Sequence, residues 1–119
     1  MRYHFVNRLN ECMTKEKMYL NPKLTLDYLA EYVGTNRTYL SNYINQELKK
    51  TFFNYVNGMR LNDAIQLLMT TESTLDVISE RSGFNSLSTF RRYFIYVHKC
   101  TPSVYKREHM YLYPPKDSK

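Results

Sequence analysis

Apolar side chains recur along this chain at three- and four-residue steps, broken by short polar stretches, and that rhythm predicts helices from end to end. Phe5, Leu9, Cys12 and Met13 form one stripe, predicting a helix over Tyr3 to Tyr19 that Asn21-Pro22 ends. Thr25 is placed to cap a helix from Leu26 to Val33, and Asn36 one running to about Glu47. Thr51 opens a long helix, Phe52 to about Met69, in which Phe52, Tyr55, Val56, Met59, Ala64, Leu67 and Leu68 keep helical spacing. Ser73 or Thr74 caps Leu75 to Ser82, and Ser86 caps a helix to about Val97. Thr101-Pro102, a cap with proline at the first helical position, opens a short helix through Tyr105 and Lys106. The tail from Tyr113-Pro114-Pro115-Lys116 lacks the pattern, and residues 111–119 are expected to be disordered.

Within this rhythm lies a repeat. LDYLAEYVGTNRTYLSNYI (Leu26 to Ile44) returns as LDVISERSGFNSLSTFRRYF (Leu75 to Phe94). In each copy a short amphipathic helix meets a glycine, Gly34 or Gly83, and a second helix rich in small polar and basic residues follows. Ala30 sits where two helices must approach closely. Gly34, four residues on, suits a turn that wants a positive φ. Leu40 then plugs the second helix onto Leu29 and Val33. Those constraints describe a helix-turn-helix, whose second helix enters the major groove of DNA. The second copy keeps Gly83, has Ser79 in place of the alanine, and carries one extra residue before Phe90, the counterpart of Leu40. Any helical hairpin can carry Ala and Gly, but two copies in register make coincidence a poor account.

Composition narrows the partner. At 119 residues and 43% apolar, the chain can fill one core or two small ones. Seventeen Lys and Arg against eleven Asp and Glu leave +6, which favours an anionic partner, nucleic acid before membrane. Most of the twelve tyrosines and six phenylalanines fall at helical spacing with Leu and Ile, so they read as packing rather than ligand stacking. Cys12 and Cys100 have no CxxC spacing, and His4, His98 and His109 are scattered, which argues against a disulfide framework and a metal site. The sequence presents no signal peptide and no membrane-spanning run, so a reducing, cytoplasmic setting is expected. With no glycine-rich phosphate loop and no nucleophile-base pairing, neither an enzyme nor a cofactor is expected.

The whole order, helix, helix-turn-helix, long helix, helix-turn-helix, short helix, resembles the DNA-binding domain of AraC/XylS-type transcriptional regulators. The resemblance rests on LDYLAEYVGTNRTYLSNYI, FFNYVNGMRLNDAIQLL, ISERSGFNSLSTFRRYF and TPSVYKR, and covers about residues 5 to 108. Arg60-Leu61 with Ala64 and Leu67-Leu68, then Gly83-Phe84 and Thr101-Pro102 with Tyr105, carry it most specifically. It implies an all-α domain over residues 1–110: two helix-turn-helix subdomains, homeodomain-like bundles at about 25–47 and 74–97, joined by a linking helix at about 52–70. Larger family members place a sensing or dimerisation domain before this one, which is the expectation here if the chain is a fragment; Met1 does not decide between a fragment and a complete small regulator. Double-stranded DNA is the implied partner, and RNA polymerase a second one. Two departures stand out. Lys49 and Lys99 occupy positions where the family usually has glycine, so either they accept a left-handed conformation or the helices end differently. A lysine there could also meet a phosphate or favour the negative end of the helix dipole. Ser79 and Ser82 are polar for an inner face, and are expected to bond back to the helix backbone.

Helical phase assigns the outward faces. With Leu40, Tyr43 and Ile44 inside, Thr38, Ser41, Asn42 and Asn45 lie opposite. With Phe90, Tyr93 and Phe94 inside, Ser88, Arg91, Arg92 and Ile95 lie outside. These eight are the candidate base contacts: Asn42 suits adenine, Arg91 or Arg92 guanine, and Ile95 a thymine methyl or a sugar. Arg37, Lys49, Lys50, Lys99, Lys106 and Arg107 flank the helix ends as candidate phosphate contacts, as does Arg91. A linking helix of about eighteen to twenty residues spans roughly 30 Å, near the roughly 34 Å between successive major-groove faces. The competing account is an all-helical protein-interaction module whose basic face is incidental.

Overall fold

The structure, a computed structural model of the chain, describes residues 3–113 and contains helices but no strand among them. In order these are α1 (Val6–Thr14), a 3-10 turn (Met18–Leu20), α2 (Leu26–Tyr32) and α3 (Arg37–Asn42), which widens into a π turn (Tyr43–Glu47). Then come α4 (Phe52–Thr70), α5 (Leu75–Arg81), α6 (Leu87–His98), α7 (Pro102–His109) and a last 3-10 turn (Met110–Leu112). They form two compact units whose boundary falls at Met59 and Arg60, within α4.

The anticipated caps all hold. Thr25 accepts from the Tyr28 amide at 3.1 Å, Asn36 from Tyr39 at 2.9 Å, and Thr51 from Asn54 at 3.1 Å. Thr74, rather than Ser73, caps α5 through the Val77 amide, while Ser86 and Thr101 cap α6 and α7. Each satisfies one N–H that the first helical turn would otherwise leave without a partner.

In the first unit Phe5, Leu9, Cys12, Met13, Leu29, Ala30, Leu40, Ile44, Tyr55 and Val56 close one core. In the second Leu61, Ala64, Leu68, Ile78, Phe84, Phe90, Tyr93 and Phe94 close another. Leu40 and Phe90 are each 0% exposed, so both plugs are where helical phase put them. α4 serves both cores, its first half burying Tyr55 and Val56 and its second half Leu61, Ala64 and Leu68. Ser79 donates to the Asp76 carbonyl at 3.0 Å and Ser82 to Ile78 at 2.6 Å, so both buried hydroxyls are satisfied as expected.

Three boundaries differ from expectation. The helix expected over Tyr3 to Tyr19 stops at Thr14, and Lys17, three residues on, takes a left-handed φ of 53°. The resulting break lets Tyr19 and Leu24 enter the same core as Phe5 and Leu9. The first recognition helix reaches Glu47, but only α3 proper is regular: the Leu48 amide bonds Tyr43, five residues back. The tail was expected to be disordered from residue 111, yet Tyr111 and Leu112 lie in a 3-10 turn and Tyr113 packs against the second core. Residues 114–119 lie outside the described residues.

The extra residue in the second repeat is absorbed in its turn. Gly34 and Gly83 both have positive φ, 87° and 95°. In the first unit Gly34 N–H donates to Glu31 and Thr35 N–H to Ala30, and Gly83 to Glu80 and Phe84 to Ser79 repeat the pair. This is a Schellman closure in each copy. The cap follows Gly34 by two residues, at Asn36, but follows Gly83 by three, at Ser86. Leu40 and Phe90 therefore occupy the same position counted from the cap.

Truncating either plug leaves a cavity in a closed core, so Leu40→Ala and Phe90→Ala should each cost about 2–5 kcal/mol in urea melts. A second expectation concerns pH. The His98 ring lies against Phe94 (5.0 Å) and Tyr105 (4.8 Å), and burial, then the nearby His109, lowers its pKa below the ordinary 6.5. The unfolded chain gains its proton as pH falls through 6.5, whereas the folded one does so only lower. The stability held by neutral His98 is thus complete above 6.5 and declines below it. The urea midpoint should fall between about pH 7.5 and about pH 5.5, and His98→Phe should reduce that fall.

Candidate nucleic-acid interface

Each unit presents the outer face of its second helix. On α3 and its π turn, Thr38, Asn42 and Asn45 are exposed and Ser41 is half-buried, while Leu40 and Ile44 point into the core. The Asn45 amide donates to Ser41 Oγ at 3.4 Å, linking two of the four outward side chains one turn apart. On α6, Ser88, Arg91, Arg92 and Ile95 are exposed, with Phe90, Tyr93 and Phe94 buried behind them. The two sets of four expected from phase are thus each brought onto one face of one helix.

The flanking cations divide into two groups. Arg37 is held by Asp27, Nη1 to Oδ1 at 2.9 Å, with both side chains well exposed. Lys106 donates to the Thr71 carbonyl at 3.1 Å and lies 3.7 Å from Glu72, so its ammonium closes the C-terminal end of α4. Lys99 takes φ 62° at the end of α6, donates to the Tyr96 carbonyl at 2.8 Å and sits 5.2 Å from the centre of the Tyr96 ring. These three serve the protein's own helix ends. Lys49, Lys50, Arg91, Arg92 and Arg107 are exposed and make no side-chain hydrogen bond or ion pair among the described residues. Lys49 also accepts the left-handed conformation, at φ 59°, so both lysines standing for glycine adopt a backbone that glycine would take without strain.

The faces therefore differ in charge. The first offers hydroxyls and amides, with its one adjacent arginine paired to a carboxylate. The second offers two guanidinium groups that have no partner among the described residues. Burial raises the pKa of Cys12, Tyr55 and Tyr93, which lie in the cores rather than on these faces. Tyr105 stacks edge-on against Phe94 and flat on His109. Among the described residues no group of His, Cys, Asp or Glu is arranged to hold a metal, and no helix is long and apolar enough to cross a membrane.

Two features escaped the sequence. Asp27, a first-turn carboxylate of α2, neutralises Arg37 ten residues on, a distance too long for any helical spacing rule to find. Tyr96 is 62% exposed beside Lys99; its three-residue spacing to that lysine was legible, but an aromatic among aromatics reads as packing.

Two helix-turn-helix units, each with a polar recognition helix, define a class: the two-headed helix-turn-helix domain. Residues 29–108 match the helix-turn-helix domain family, and the chain belongs to it, in its AraC type. The HTH-type transcriptional regulator YobQ of Bacillus subtilis is 34% identical over 88 residues, which is 74% of this chain and 36% of YobQ. The chain thus spans about a third of that relative's length. The C-terminal domain of AraT, a response regulator from Geobacillus stearothermophilus, superposes with a TM-score of 0.83 at 27% identity, covering 98% of this chain and 93% of its own. An AraC-type DNA-binding-domain regulator from Chromobacterium violaceum gives 0.73 at 28% identity, covering 87% and 92%.

The left-handed lysines yield a stability test. Relieving αL strain gains about 1–2 kcal/mol, and the greater freedom of unfolded glycine returns about 0.4–1. Lys49→Gly should therefore raise the unfolding free energy by about 0.5–1 kcal/mol, measured by urea melts.

Proposed function

We propose that this chain is the DNA-binding part of a bacterial transcriptional regulator and binds duplex DNA sequence-specifically. The observation that carries the reading is the pairing of outward faces: two helix-turn-helix units, each presenting a solvent-exposed polar row on its second helix. Membership in the AraC-type family supports it. Such rows fit the major groove, where side-chain amides pair with adenine and guanidinium groups with guanine.

In this reading α3 and α6 enter successive major grooves. Thr38, Ser41, Asn42 and Asn45 read one half of the site, and Ser88, Arg91, Arg92 and Ile95 the other. Lys49, Lys50 and Arg107, which have no side-chain partner among the described residues, are the best-placed phosphate contacts. Arg37, Lys99 and Lys106 could join them only by adding to, or leaving, the bonds they already make. A direct repeat in the protein implies a non-palindromic site for a single copy. The protein acts in the cytoplasm, where binding recruits or blocks RNA polymerase. If the chain is a fragment of a larger regulator, a sensing or dimerisation domain stands N-terminal to it.

Selection of bound sequences from a random duplex pool tests the reading and yields the site. Log affinity should fall with log salt by about 0.9 for each phosphate contact. Arg92→Ala should relax base preference in one half of the site at about 1–3 kcal/mol, leaving the other unchanged, and Asn42→Ala should do the reverse. Uniform weakening on all sequences would make both side chains phosphate contacts. Absence of salt-dependent DNA binding would favour a protein-interaction module instead.

A further inference from the structure

The family match begins at residue 29, so α1 stands outside it, yet the polar side of the N-terminal segment converges on the first helix-turn-helix turn. Arg8 Nε donates to the Tyr32 carbonyl at 3.0 Å, and its guanidinium lies 4.9 Å from the centre of the Tyr32 ring. The Tyr32 hydroxyl donates to Glu16 at 2.6 Å, fixing the ring over which the guanidinium lies. His4 Nε2 comes within 3.3 Å of the Gly34 carbonyl. Tyr32 is the last residue of α2 and Gly34 carries the left-handed turn, so these carbonyls flank the joint from which α3 departs. Carbonyls at a helix C-terminus have no partner within the helix, and a cation there also favours the helix dipole.

We propose that Arg8 is a positioning residue for the first reading head: it latches the α2–α3 turn and so sets the angle at which α3 presents Thr38, Ser41, Asn42 and Asn45. This rests on the proposal that α3 reads DNA. Arg8 itself sits on an exposed surface, outside the core stripe of α1, so replacing it leaves Phe5, Leu9, Cys12 and Met13 in place. The second unit offers an internal control, since its turn at Gly83 makes the same pair of backbone bonds.

The test uses Arg8→Ala and the conservative Arg8→Lys in two measurements. In the free protein, amide hydrogen exchange at Gly34 and Thr35 should quicken by about threefold to tenfold in Arg8→Ala, the worth of one hydrogen bond. Exchange at Gly83 and Phe84 should not change, and Arg8→Lys, whose ammonium can still meet the Tyr32 carbonyl, should restore much of the protection. In selection from a random duplex pool, Arg8→Ala should broaden preference only in the half-site that Asn42→Ala also broadens, with the salt slope unchanged. Unaltered exchange at Gly34 and Thr35 would overturn the proposal. Uniform weakening on every sequence, with the salt slope reduced by about 0.9, would overturn it too, making Arg8 a phosphate contact. If the wild-type protein selects no sequence while the exchange contrast holds, the DNA-reading proposal fails and the latch stands.

Discussion

Each unit depends on one backbone angle. Gly34 and Gly83 hold φ near +90°, a region that L side chains reach only with strain. At Gly34 no atom lies within 4 Å of where a Cβ would be, so glycine is there for the angle rather than for space. The angle lets the next two amides turn back onto α2 or α5, and that closure aims the following helix. Only then do Leu40 and Phe90 land on their cores, and only then do the polar rows behind them face outward.

Much of this was legible because caps and core residues are local and periodic. Thr25, Asn36, Thr51, Ser86 and Thr101 each stand just before a stretch whose apolar residues recur at helical spacing, and a side-chain oxygen in that place has few other uses. Ser79 and Ser82 were readable for a related reason: a hydroxyl on an inner helix face has the preceding turn's carbonyls within reach. The break at Lys17 left no such mark. Nothing in Lys-Glu-Lys-Met distinguishes a residue about to turn left-handed from one in a regular helix. Nor could the π turn be read from Tyr43 to Glu47, where no residue marks the change to bonds five residues back.

Charge was the least legible property of the candidate site. Counting lysines and arginines near helix ends gathers residues of two kinds. Arg37, Lys99 and Lys106 hold carbonyls or a carboxylate of the protein itself, at 2.9, 2.8 and 3.1 Å. Among the described residues, Arg91, Arg92, Lys49, Lys50 and Arg107 do not. The distinction rests on tertiary proximity: Lys106 meets Thr71 across thirty-five positions, a pairing no spacing rule anticipates. Once drawn, it leaves an asymmetric pair of heads. The outward row on α3 and its π turn is uncharged, with Lys49 and Lys50 exposed just beyond it, whereas the row on α6 carries Arg91 and Arg92.

The continuity of α4 bears on how such a chain reaches its structure. Starting a helix is the unfavourable step, because several residues must be fixed before the first bond forms, whereas extending one adds a bond per residue. Nineteen residues, Phe52–Thr70, form a single helix that contributes side chains to both cores. Whichever unit condenses first therefore hands its neighbour a helix already begun, needing only to be lengthened. Two small cores, each modest alone, share one nucleation event.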